Sequence, residues 1–465
     1  MQTARRISLI IAVLLLLIFA PTQIAGLSDL ASAGSAATAH DKSHYYESAA
    51  QRLTWRSDLY VAAADTAMDA REYPRAITLF QAARQRGQLT SAARLDLGQA
   101  YSLNGDDAAA ILEWQALLTD PQMRAAASLS LAKTYHSLAR FDDEAQILHS
   151  WLAFDPTNPD AHYGLGLLLF ADASPDAIAL LQTAASNSPA LKPQIDALVS
   201  ALKTALQEPS AAARLTSCGR TLAAIGEWPL AARTFLRATQ ADPQDGLAWA
   251  WLGEARQQTG SAAALPALQQ ALSLAPGSAE IHGMAGLYWQ RHSDWQQALA
   301  EFSAAARLQP GTAVWQMSLG DVHTHLGDLV KALADYQAAT SLAPADAQTW
   351  RALALFSVEN NVDVDVTGRD AALQAYALAP ADAQNMDALA RTLMATAQWD
   401  AAESILKKAI AAAPNDAAPV FHLGLLYMQT DRRDLAKPYL LSARSLDPGG
   451  PIGTQAAKVL ERYFP

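Results

Sequence analysis

The sequence predicts an all-α chain, an α-solenoid of antiparallel helix pairs, and three observations carry that reading. A proline closes an apolar segment seven times, at Pro243, Pro276, Pro310, Pro344, Pro380, Pro414 and Pro448, at intervals of 33, 34, 34, 36, 34 and 34 residues. A fixed period in this range marks stacked repeats. Within each interval large and small residues recur in one register. Composition agrees, because 51% apolar and 17% charged residues are far from disorder and alanine is abundant, as closely packed helices require.

The register appears when each closing proline is set at position 32 of a 34-residue unit. Positions 4, 7, 8 and 11 then hold Val420, Leu423, Gly424 and Tyr427 in one unit, and the first three of them hold Trp249, Leu252 and Gly253 in another. The back half repeats as Ala231, Phe235, Ala238, as Ala298, Phe302, Ala305, and as Ala332, Tyr336, Ala339. Large apolar residues at 4, 7 and 11 form one stripe on a first helix. Position 24 answers from a second helix, and small residues at 8, 20 and 27 let the two axes approach to about 8–10 Å. Gly226, Gly260 and Gly327 fall at position 15, where a left-handed residue closes the first helix cheaply. Proline stops the second helix, since it lacks an amide donor and clashes with the preceding turn.

These residues match the W-x2-L-G-x2-Y and A-x3-F marks of the tetratricopeptide repeat, and the chain resembles that family over most of its length. The resemblance implies a right-handed superhelix with a long concave surface.

Taken in order, residues 1–26 read as a signal peptide or signal-anchor: Arg5 and Arg6 precede an apolar run from Ile7 to Ala20, with small residues after it. Cleavage and retention both stay open, because Gln23 and Ile24 stand where a cleavage site would want small residues. Either way the arginines stay inside. The repeats are expected to be extracytoplasmic (periplasmic or secreted) or inner-membrane-anchored outside the cytoplasm, with residues 7–20 as the tether. Residues 27–41, rich in Ala, Ser and Gly, read as a flexible spacer. A leading helix over 42–56 comes next.

Repeats 1–4 are expected over 57–189 and repeats 5–11 over 210–448. Between them only 20 residues separate Pro189 from Pro209, with Leu191, Ile195, Leu198, Leu202 and Leu206 at helical spacing. Residues 190–209 therefore predict one extra helix without its pair, either a cap with a hinge or an altered continuation of the stack. Residues 449–465 predict a helix covering the last apolar face.

Net charge is −11, and removing residues 1–30, with Arg5, Arg6 and Asp29, leaves 32 basic and 44 acidic residues, or −12. A mildly acidic body argues against nucleic acid as partner. The single cysteine, Cys218, allows no internal disulfide and sits at a core position.

Catalytic signals are absent from the sequence patterns. His323 and His325 lie two apart on a helix and point to different sides. Asp363-Val-Asp365-Val-Thr367-Gly368 has calcium-loop spacing, but Thr367 and Gln374 replace needed ligands. It reads better as a turn insertion in which Thr367 caps the next helix. No metal, no cofactor and no enzyme activity are expected, and 449–465 is too short for a catalytic domain.

The resemblance implies that positions 2, 5, 9, 12 and 13 of each first helix line the groove and hold an extended peptide or a partner helix. Read onto this chain, they give Tyr163, Leu167 and Phe170 as an apolar patch, then Glu254, Asp321, His325, Arg351, Asp387, Arg391 and Phe421. The family's Lys, Asn and Arg clamp for a terminal carboxylate is not supplied by neighbouring units. The function expected is a non-enzymatic protein-binding scaffold of an extracytoplasmic or membrane-associated assembly. The alternative is a binding subunit for polysaccharide synthesis or export, in which Trp228, Trp295 and Trp399, all at position 17, would meet glycan.

Overall fold

The computed structural model describes residues 20–464, and every regular element among them is a helix. The chain divides after Ala241 into two compact units. The basic end and most of the apolar run lie outside the described residues. No helix among those described is long and apolar enough to cross a membrane.

In the first unit, residues 20–35 are helical (α1), and α2 runs Ala39–Arg52. This corrects the spacer expected over 27–41. Alanine has the strongest intrinsic helix preference, and here a partner face converts that preference into a docked helix. Gln23 Nε2 donates to the Arg52 carbonyl at 3.3 Å, Ser48 Oγ donates to Asp29 at 2.8 Å, and Gly26 lies against Leu53 with no room for a Cβ.

Pairs come next: α3 (Leu59–Asp69) with α4 (Tyr73–Gln85), α5 (Ser91–Leu103) with α6 (Asp107–Gln115), α7 (Arg124–Ser137) with α8 (Phe141–Phe154), and α9 (Pro159–Ala171) with α10 (Ala177–Asn187). After a short 3-10 turn at Pro189–Leu191 comes the unpaired α11 (Lys192–Ala205), which buries Ile195, Leu198 and Leu202 and packs on both α10 and α12 (Ala211–Ala224). It lies inside the first unit, whose boundary comes later, after α13 (Trp228–Ala241). One helix in place of two changes the offset of the next pair. As a result α12 and α13 both pack on α9, and Asp172 at the end of α9 is ion-paired with Arg237 and lies 3.6 Å from Arg233.

The second unit is more regular: α14 (Gly246–Gln258) with α15 (Ala264–Leu274), α16 (Ala279–Arg291) with α17 (Trp295–Leu308), α18 (Ala313–His325) with α19 (Leu329–Leu342), α20 (Ala347–Asn360) with α21 (Arg369–Leu378), α22 (Ala383–Ala395) with α23 (Trp399–Ala412), and α24 (Ala417–Gln429) with α25 (Arg433–Leu446). The last helix, α26 (Pro451–Tyr463), covers α24 and α25 and buries Ala456 and Leu460. Two residues after most of the closing prolines, an acid or hydroxyl side chain caps the next first helix: Asp245, Ser278, Asp346, Asp382 and Asp416 each accept from its first free amides. Each such cap is worth about 1 kcal/mol.

The small-against-large register is physical contact. A Cβ added at Gly219 would sit 2.5 Å from the Phe235 ring, at Gly253 2.6 Å from Leu268, at Gly286 2.6 Å from Phe302 and at Gly320 2.8 Å from Tyr336. Cys218 is buried in this layer, which pushes its thiol up to about 12. The 36-residue interval contains a π-helical turn, Val364–Gly368. Here the cap differs from the one expected: Asp363, at φ +45°, accepts from the Thr367 amide and hydroxyl, while α21 has no side-chain cap of its own. Asp363 rather than Thr367 reaches the free amides because the insertion moves the cap to the start of the π turn.

Candidate functional site

In the first unit, α7, α8 and α9 line a cavity of about 340 Å3 together with Glu227 from the turn before α13. Its apolar walls include Leu129, Leu148, Trp151 and Leu167. The volume lies in the range of about 300–1,000 Å3 usual for ligand pockets. The Trp151 indole N–H is buried and has no hydrogen-bond partner. A buried donor left unpaired costs about 1–3 kcal/mol.

Two carboxylates hold the polar wall. His136 Nδ1 lies 3.0 Å from Glu144 Oε2, and its Nε2 lies 2.8 Å from Glu227 Oε2, 91 residues away. Hydrogen bonding to Glu144, then to Glu227, outweighs the opposing effect of burial and raises the imidazole to about 10. His136 is therefore an imidazolium at neutral pH, clamped between two acids. Phe141 meets it edge-on at 5.5 Å. Tyr163 lines the same cavity, its hydroxyl accepts from Gln194 of α11 at 2.7 Å, and burial, then the Glu227 charge, raises its pKa.

Of the apolar patch read from the sequence, Tyr163 and Leu167 line this cavity, although Leu167 is itself buried, and Phe170 is wholly buried. Phe421 is also core, packed with Val420, Leu423 and Leu440. Neither ring offers surface, because the first helices are covered on more than one side and groove positions of large apolar type complete the packing. His136, Glu144 and Glu227 were missed. No local pattern joins residues 91 positions apart in sequence.

The polar candidates of the second unit are brought together, chiefly by bonding across successive first helices. Glu254 of α14 accepts from Arg291 of α16 at 2.8 Å, and Asp321 of α18 accepts from Gln290 of α16. Burial raises Asp321 above the usual carboxylate range. Arg351 of α20 donates to Asn385 of α22 at 3.0 Å, Arg391 of α22 donates to Glu359 of α20 at 2.8 Å, and Asp387 of α22 meets His422 of α24 at 2.7 Å. His325 stacks on Trp295 at 3.9 Å with 14° between planes, so that one face of this tryptophan is already covered. Trp228, Trp295 and Trp399 are all half-buried at the first position of their helices.

These ties give charge reversal a structural effect. Arg351→Glu with Arg391→Glu is expected to keep the helical spectrum but lower the urea midpoint, by a loss of about 1–3 kcal/mol for bonds to charged groups. An unchanged midpoint would show that the ties between first helices carry no stability.

The sequence model of the family described as tetratricopeptide repeat matches residues 61–122, 219–279, 284–347 and 388–451. A search of curated proteins finds no match to the chain. Among solved structures, similarity extends to the APC/C hetero-tetramer Cut9–Hcn1, at 16% identity over 96% of both chains with a TM-score of 0.41. Yeast Tom70 is similar at 15% identity over 96% of this chain and 95% of its own, with a TM-score of 0.43. PilF of Pseudomonas aeruginosa is similar at 19% identity over 45% of this chain and 94% of its own, with a TM-score of 0.37. With the helix pairs, the glycine-to-aromatic register and family matches over more than half of its residues, the chain belongs to the tetratricopeptide-repeat family.

Proposed function

We propose that this protein is a non-enzymatic scaffold that holds a partner protein segment in the first-unit cavity. The observation that carries the reading is the cavity itself: an apolar recess whose polar wall carries Asp160, Lys133 and the His136 pair with Glu144 and Glu227. Such a recess suits an apolar anchor side chain of a partner segment. The tetratricopeptide fold is typically a protein-interaction scaffold, which supports the same class of function. The polar groove of the second unit serves less well, since its charged candidates already bond one another. The N-terminal layout of Arg5, Arg6 and the apolar run supports placement of the repeats outside the cytoplasm.

The test is affinity capture of the full chain from its host beside Leu129→Glu, which places a charge at a half-buried wall position. The parent is expected to retain a small set of proteins that the variant loses while keeping its helical spectrum. Capture of the same set by both forms would overturn the cavity as the docking site.

A further inference from the structure

We propose that His40, His44 and Glu72 form a binding site for one first-row divalent transition metal ion, with zinc the ion that best suits the donors. His40 and His44 stand four apart in α2, so both imidazoles leave one face a single turn apart. Their rings meet at 4.6 Å with 63° between planes. Glu72 arrives from the turn into α4 and already hydrogen-bonds His40 Nδ1 through Oε1. One donor atom from each residue lies within 4.8 Å of the others. Zinc bonds nitrogen and carboxylate oxygen at about 2.0–2.2 Å, so tetrahedral donors stand about 3.3 Å apart. Both imidazoles are exposed and free to close that difference by side-chain rotation.

The backbone beneath the site is held. Glu72 N donates to the Ala67 carbonyl at 2.9 Å and Arg71 N to Met68 at 2.9 Å, which pins the turn that presents the carboxylate. The other carboxylate oxygen lies 3.7 Å from Arg75, which also pairs with Glu47 of α2. That partner orients the carboxylate and leaves Oε1 for the ion. Two imidazoles and one carboxylate are a zinc-type donor set, whereas calcium and magnesium require shells of oxygen. A bound ion would tie α2 to α4 and fasten the leading helix to the first pair. Three protein donors leave a fourth position for water.

The sequence signal is the pair His40-x3-His44, the spacing that His323 and His325 lack. The experiment uses untagged full-length protein titrated with zinc chloride by calorimetry, with magnesium chloride as control. The expected result is one zinc per chain, a zinc-dependent rise in melting temperature and no response to magnesium. His44→Ala and Glu72→Gln should each weaken zinc binding at least about tenfold. The exposed His44→Ala variant should melt like the parent without metal. Absence of zinc binding at micromolar concentration, or binding undiminished in both variants, would overturn the site.

Discussion

Replacing Phe302 by alanine is expected to cost about 3–5 kcal/mol, the range for emptying a large aromatic site in a core. Phe302 is fully buried, and its ring fills the space that Gly286 leaves on the paired helix, with Ala298, Leu319 and Val322 around it. The glycine tests the same contact from the other side. Gly286→Ala should cost about 1–3 kcal/mol by overpacking, because its Cβ would stand 2.6 Å from the ring. If the two residues are one lock, the double variant Gly286→Ala, Phe302→Leu should lose less than Gly286→Ala and Phe302→Leu lose when measured singly and added together. Urea unfolding of the single and double variants decides the matter, and strict additivity would refute the pairing of positions 8 and 24.

His136→Ala should have the second largest effect, about 2–4 kcal/mol, because it leaves the Glu144 carboxylate buried without its countercharge. The lower part of the usual range applies since Glu227 is partly open to water. The sign with pH comes from the raised pKa. His136 titrates near its ordinary value of 6.5 in the unfolded chain and near about 10 in the folded one. Its contribution is therefore fully present below about 6.5 and is lost as pH rises through about 10. The gap in stability between parent and His136→Ala should be widest near pH 6 and close as pH approaches 10. A gap that widens with pH would mean that the imidazole is neutral in the folded protein.

Much of the fold could be read from residues close in sequence. Gly286 and Phe302 are 16 positions apart, as are Gly219 and Phe235, and both pairs meet within one helical hairpin. Because each pair buries its own seam, the pattern needed no knowledge of distant contacts. The ties between first helices were half legible. Their residues fell at groove positions, yet their bonding to one another depends on how neighbouring pairs stack, and only the offset of 31 to 37 residues hints at it.

The chain's own order of residues determined the repeat period, the helix pairing and the family. Periodic sequence suffices there because each contact is local and recurs. The tertiary structure decided which candidate side chains stay exposed. It buried Phe170 and Phe421, docked residues 20–35 as a helix, and brought Glu227 to His136. Those outcomes depend on side-chain packing between elements that share no sequence pattern.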